Sequence, residues 1–196
     1  MAAAPVRPNQ REHILDVALA LWSAHGSAKT SMRELARQCG LNVAAIYHYF
    51  ESKDALLAAV IDERRYEARL ADEIPELPLD LPAGERLARI YGTVWTGAMA
   101  EEEVWRLLLV EGLAGTSAAV PVGRQLLEVF GPGLTAWLQA SVPEVDEPEA
   151  VVDLMVGQLF LGFITHIFRP EVPTDELERR GAATLRAAIF GDVPSP

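Results

Sequence analysis

Within seven residues, Tyr47, His48, Tyr49 and Lys53 bring together two phenols, an imidazole and an ammonium group. Such groups hydrogen-bond phosphate oxygens and the polar edges of bases. Val43, Ala44 and Ala45, just ahead of them, offer only methyl groups. They can touch thymine methyls but cannot form bidentate bonds with guanine. Lys53 stands at the opening of a helix with backbone N–H groups nearby, and Thr30 and Ser31 stand at the opening of an earlier one, positions that suit a phosphate. His13, His25, His48 and His166 have no metal-ligand spacing. Nor is there a nucleophile elbow, a P-loop or a dinucleotide fingerprint. No catalytic residue, metal or cofactor is expected.

Two short helices must position these groups, and each carries its own start signal. Ser31 with Glu34 is a capping box. Met32, Leu35, Ala36 and Cys39 then form one apolar stripe at helical spacing. Gly40 supplies the left-handed residue that stops the first helix. Asn42 caps the second, and Ile46 and Phe50 anchor it inward at i, i+4. Such a pair, with glycine at the elbow, is a helix-turn-helix, whose second helix normally enters a DNA major groove. On a helical wheel centred on Ile46, Ala44, Ala45 and His48 face outward, with Val43, Tyr47 and Tyr49 on the flanks.

The net charge of −11 runs against a DNA-binding reading until it is divided. Residues 1–58 hold six Lys or Arg against five Asp or Glu, a net +1, while residues 59–196 hold 11 against 23, a net −12. The acid lies where no DNA need be touched, and there it repels phosphate and suppresses non-specific binding. The single cysteine, Cys39, rules out an internal disulfide, reads as a small buried hydrophobe and implies a reducing cytoplasm. No signal peptide is expected from residues 1–10, which hold two prolines and no apolar run. The strongest apolar stretch, Met155 to Phe168, is 14 residues with Gln158, Thr165 and His166 inside it. It reads as too short and too polar for a membrane span.

Residues 1–8 read as a disordered tail. A first helix carries Ile14, Val17, Ala18, Leu21 and Trp22 on one face and ends at Gly26. After the helix pair, Ser52 caps a fourth helix running to about Asp72. Pro75, Pro78 and Pro82 then mark a domain boundary. The expected domains are 9–68 and 83–196. Beyond the boundary the pattern is helical throughout, without strands or repeats. Gly131-Pro132-Gly133 is expected to break or kink a helix that begins near Val122 and resumes to about Ala140. Final helices are expected over about 147–169 and 174–190. Glu101-Glu102-Glu103 reads as a solvated helix opening, and Arg7 and Arg11 as a solvated tail, with contact to the DNA backbone as the alternative.

From Val151 to Phe168 the chain is apolar nearly all round. A helix of that kind buries more than one face. One face can meet its own domain and another a second subunit, with Gly157 and Gly162 allowing close approach and Leu161 and Phe168 in the same interface. Tyr91, Trp95, Met99, Trp105 and Met155 are large, adaptable side chains suited to an apolar effector pocket, with Gln158 and His166 as orienting polar groups. A buried Glu111 near Trp105 has no partner visible in sequence.

These features resemble the TetR (tetracycline-repressor) family of bacterial regulators. The matching residues are Ile14-Leu15-Asp16-Val17-Ala18 ahead of Gly26, Thr30-Ser31, Glu34-Leu35-Ala36, Gly40-Leu41, Tyr47-His48-Tyr49-Phe50 and Ser52-Lys53-Asp54-Ala55-Leu56-Leu57. The resemblance covers roughly residues 9–62. There are departures: Ser27 where a large apolar residue is usual, Asn42 in place of the commoner Ser, and Val43 where a polar or basic residue is common. The resemblance implies an all-α fold: an N-terminal three-helix helix-turn-helix domain and a C-terminal helical ligand-binding and dimerisation domain. It also implies a homodimer joined through its last two long helices, phosphate contacts by Tyr47 and Lys53, and an effector that alters the spacing of the two recognition helices.

The expected function is a cytoplasmic, ligand-responsive transcriptional repressor that leaves a palindromic double-stranded operator when a small apolar effector binds. The alternatives are a helical ligand-binding module of the same fold without specific DNA binding, and an enzyme built on a helical bundle. Intact caps with Tyr47 and Lys53 favour the first over the second, and the lack of a catalytic constellation disfavours the third.

Overall fold

The structure, a computed structural model, describes residues 9–63, 75–116 and 119–191, with side chains for all of these except Val122, Gln125 and Leu126. The tail over 1–8 and the extension of the fourth helix towards Asp72 lie outside the described residues.

Among the described residues every regular element is a helix: α1 Gln10–His25, a 3-10 turn Ser27–Lys29, α2 Met32–Gln38, α3 Val43–Tyr49, α4 Lys53–Glu63, α5 Ala83–Ala100, α6 Glu102–Leu113, α7 Ala119–Ser141, α8 Pro148–Phe168 and α9 Thr174–Phe190. The all-α reading is therefore correct. The helices form two compact units. One holds α1 to α4, α6 and the start of α7. The other holds α5, the rest of α7, α8 and α9. The prolines near residue 80 suggest a boundary with everything after them in one domain. In the structure α6 packs with α1 and α4 instead, because Leu107 and Leu108 extend the first unit's apolar core.

That first core is built from Ile14, Leu15, Ala18 and Trp22 of α1 and from Leu56, Leu57, Val60 and Ile61 of α4, with Leu35 and Ile46 from the two short helices. Leu15 is fully buried, while Val17 and Leu21, expected on the inward face, are half-buried. Arg11 is not a solvated tail residue. It pairs with Glu63 at the end of α4 and lies over the Phe50 ring, 5.1 Å from its centroid.

The second unit closes around Leu87, Ile90, Tyr91 and Trp95 of α5, with Leu138 from α7, Met155 from α8 and Leu185 from α9. Arg86 is buried there and donates to the carbonyls of Leu81 (3.0 Å) and Ser141 (2.6 Å) and to the Glu144 carboxylate. A buried charge persists only when its donors are satisfied in this way. α7 runs unbroken through Pro132. The expected break does not occur, since Pro132 is exposed and solvent can satisfy the Glu128 carbonyl that proline leaves without an N–H.

α8 begins at Pro148, well before the apolar stretch singled out from sequence. Its 21 residues make it long and apolar enough, by those criteria alone, to cross a membrane, which corrects the expectation that it is too short. One of its faces is already used: Val151, Val152, Met155, Gly162 and Phe163 are buried, and the helix packs against α9.

Candidate nucleic-acid interface

The helix pair is held by local hydrogen bonds. Ser31 Oγ accepts the Glu34 N–H at 3.1 Å, and Asn42 Oδ1 accepts the Ala45 N–H at 2.8 Å. These satisfy orphan donors at the two helix starts. Gly40 adopts φ +68°. The Leu41 N–H reaches the Ala36 carbonyl at 2.8 Å and the Gly40 N–H reaches Arg37 at 3.2 Å, the paired pattern of a Schellman stop. A side chain at position 40 would be strained in that conformation. Ile46 and Phe50 are buried, so the opposite face of α3 is turned outward.

On that face Ala44, Tyr47 and His48 are exposed, while Val43 and Ala45 are half-buried. Val43 packs partly against the first unit's core, so the outward stripe is centred nearer to Tyr47 than the wheel suggests. His48 meets Tyr49 edge to face, with ring centroids 5.2 Å apart. The Tyr49 hydroxyl donates to Gln10 Oε1 at 3.2 Å.

Lys53 opens α4, and its ammonium donates to the Ser27 carbonyl. That oxygen also accepts the Thr30 N–H at 3.1 Å. Ser31 is exposed. Thr30 is not: its side chain is buried, which removes it from the residues able to meet a phosphate. Thr30 and Ser31 are both in extended backbone, where successive side chains point to opposite sides, and Ser31 takes the outward one.

On α2, Arg37 bonds to Glu34 at 2.5 Å and Gln38 Nε2 donates to the same carboxylate at 3.0 Å. Those bonds hold the Glu34 carboxyl down to about 2. The partner for Glu111 that sequence lacked is the backbone of Ser27. Glu111 is 2 % exposed, and its Oε1 accepts the Ser27 N–H at 2.6 Å. No local pattern announces this bond, because it uses the backbone N–H of residue 27 and not its side chain.

The proposed effector residues do not form one group. Tyr91, Trp95 and Met155 are buried together in the second unit, the two rings stacked with centroids 6.5 Å apart. Met99 packs against that core, and Gln158 and His166 are half-buried on α8. Trp105 belongs to α6, in the first unit. Sequence did not single out Trp137 or Val152, which complete the same core.

The four interface candidates divide as well. Gly157, Leu161 and Phe168 are exposed, Phe168 by 77 %. Leu154 and Phe160 join them as exposed apolar residues of α8. Gly162 does not belong with them. It is buried within its own unit, and a Cβ there would lie 2.6 Å from Trp95 Cζ3. Its missing side chain makes room for an indole, not for a second subunit.

Residues 14–60 match the family described as bacterial regulatory proteins, tetR family. The HTH-type transcriptional regulator BetI of Agrobacterium fabrum is 26% identical over 155 residues, 78% of this chain and 72% of that protein. The HTH-type transcriptional regulator AcrR of Shigella flexneri is 44% identical over 50 residues, 26% of this chain and only 23% of its own length. Among solved structures, a transcriptional regulator from Aquifex aeolicus VF5 superposes with a TM-score of 0.75 at 19% identity, covering 92% of this chain and all of that one. Salmonella enterica GusR gives 0.68 at 19% identity, covering 97% and 99%. The structural likenesses speak for the fold, and the sequence likenesses for the helix-turn-helix.

Proposed function

We propose, from the match of residues 14–60 to the tetR family of bacterial regulatory proteins, that this chain is a homodimeric repressor in the cytoplasm which leaves a palindromic operator when a small apolar molecule binds. The observation that carries the DNA-binding part is the helix pair itself. Both helices are capped, the stop at Gly40 is left-handed, and α3 buries Ile46 while exposing Ala44, Tyr47 and His48. A helix presented in this way fits the major groove. Tyr47 and Lys53 are assigned to phosphates. One bond to Ser27 uses one ammonium hydrogen of Lys53 and leaves two for the DNA.

The exposed apolar face of α8 supports assembly. Leu154, Phe160, Leu161 and Phe168 together are more apolar surface than an isolated soluble helix normally shows to water. A second copy of the same face covers it, and a two-fold dimer requires a two-fold DNA site. The effector is assigned to the second unit beside Trp95, Met99 and Gln158. It must bind the DNA-incompetent state more tightly, since equal affinity for both states shifts nothing.

Selection of binding sites from random duplexes tests this reading. Palindromic sites with half-sites about one helical turn apart, or slightly more, are expected. Recovery of only non-palindromic or single-stranded sites overturns it.

A further inference from the structure

Resting on that DNA-binding reading, we infer that the start of α3 reads thymine by its methyl group: Val43, Ala44 and Ala45 set the operator's sequence through contacts with the C5-methyls of T·A pairs, not through hydrogen bonds to guanine or adenine.

The inference follows from which side chains are already engaged. The N-terminal residues of a recognition helix are the ones that meet base edges. Guanine is read by a bidentate Arg or Lys, adenine by a bidentate Asn or Gln, and cytosine by an acidic acceptor. Four side chains near α3 that could make such bonds already have a partner within the protein. Asn42 spends its Oδ1 on the Ala45 N–H at 2.8 Å, so it cannot offer adenine the acceptor and donor together. Arg37 and Gln38 are both held by Glu34. The Lys53 ammonium is drawn to the Ser27 carbonyl.

On α3 itself there is no acid, no amide and no guanidinium. Its first turn is Val43-Ala44-Ala45, with Ala44 exposed and its two neighbours half-buried. Tyr47 and His48 are single-point hydrogen-bonding groups one turn further along. What the first turn presents to a groove is methyl surface, and the one base feature that rewards methyl surface is the thymine C5-methyl. The half-buried state of Val43 and Ala45 sharpens this. The Val43 side chain is held by the protein's own packing and the Ala45 methyl has no rotamer to change, so a base pair without a methyl leaves a gap that they do not move to fill.

The test changes the DNA and leaves the full chain as it is. After selection of a palindromic duplex, each thymine of the half-site is replaced by deoxyuridine, which removes only the methyl group. Affinity is read by fluorescence anisotropy at one salt concentration. A loss of about fourfold per contacted methyl is expected at two or more positions in the half-site, and none at the others. Where cytosine·guanine is placed at those positions, 5-methylcytosine should bind more tightly than cytosine, because it restores the methyl at the same place in the groove. Ala44→Gly, checked for unchanged helix content by circular dichroism, should lose the response to deoxyuridine at one position and keep it at the rest.

Operators that bind equally tightly with thymine and deoxyuridine at every position overturn the inference while leaving sequence-specific DNA binding intact. So does a selected half-site whose binding is abolished by replacing guanine with 7-deazaguanine. If no duplex is selected at all, the DNA-binding reading falls and this inference with it.

Discussion

Glu111 on α6 accepts the backbone N–H of Ser27 at 2.6 Å, joining two positions 84 residues apart. Ser27 is the first residue of the 3-10 turn that leads into the helix pair. Its N–H is taken by Glu111 and its carbonyl by Lys53. A helix from beyond the proline-rich stretch thus fixes the backbone from which α2 and α3 are launched.

Removing that acceptor should destabilise the first unit. Glu111→Ala leaves a buried N–H unpaired, which costs about 1–3 kcal/mol. Urea unfolding should show the loss. Glu111→Gln keeps an acceptor in place and should recover a substantial part of it. If the two variants are equally unstable, the contribution of Glu111 is not its bond to Ser27.

Lys53 is expected to act on DNA and on the fold together. Lys53→Ala should lower the slope of log affinity against log salt by about 0.9, the release of counterions from one phosphate contact. It should also reduce stability by about 1 kcal/mol, as the Ser27 carbonyl loses a donor. Affinity measured over a range of salt separates the two effects. A parallel drop at every salt concentration would mean that Lys53 works only through Ser27.

The two glycines of α8 should respond in opposite ways. Gly162→Ala places a Cβ 2.6 Å from the Trp95 ring and should cost about 1–3 kcal/mol by overpacking. Around Gly157 a Cβ meets nothing within 4 Å in the single chain, so Gly157→Ala should leave the folded subunit intact. Leu161→Arg, on the exposed face beside it, should leave an unpaired charge in the dimer interface. Light scattering should then report a folded monomer. A wild-type protein that is monomeric at micromolar concentration refutes the assigned dimer face.

Tyr91 provides a signature at high pH. Burial, and to a lesser extent the charge of Glu178, push its phenol up to about 12 from the ordinary value near 10. Its folded-state value lies above the unfolded one, so the stability it confers is complete below pH 10. That stability is lost as pH rises from 10 through about 12. Near-ultraviolet titration of phenolate absorbance should show a phase that ionises late, and Tyr91→Phe should remove it. Tyr91 ionising with the earliest tyrosines would contradict its burial.

What sequence alone determined are the features whose causes lie within a turn or two of helix. Ser31 caps Glu34, Asn42 caps Ala45 and Gly40 ends α2, because each interaction joins residues three to five apart. The outward face of α3 was legible for the same reason, since Ile46 and Phe50 set the helix phase. The family resemblance rests on this stretch. Only the tertiary structure decided the rest. Thr30 turns inward, α6 joins the first unit, Glu111 finds Ser27, and Gly162 receives Trp95 rather than a partner subunit. None of these leaves a periodic trace. Each is a contact between elements far apart in the chain, and a glycine that admits an indole reads the same in sequence as one that admits a second helix.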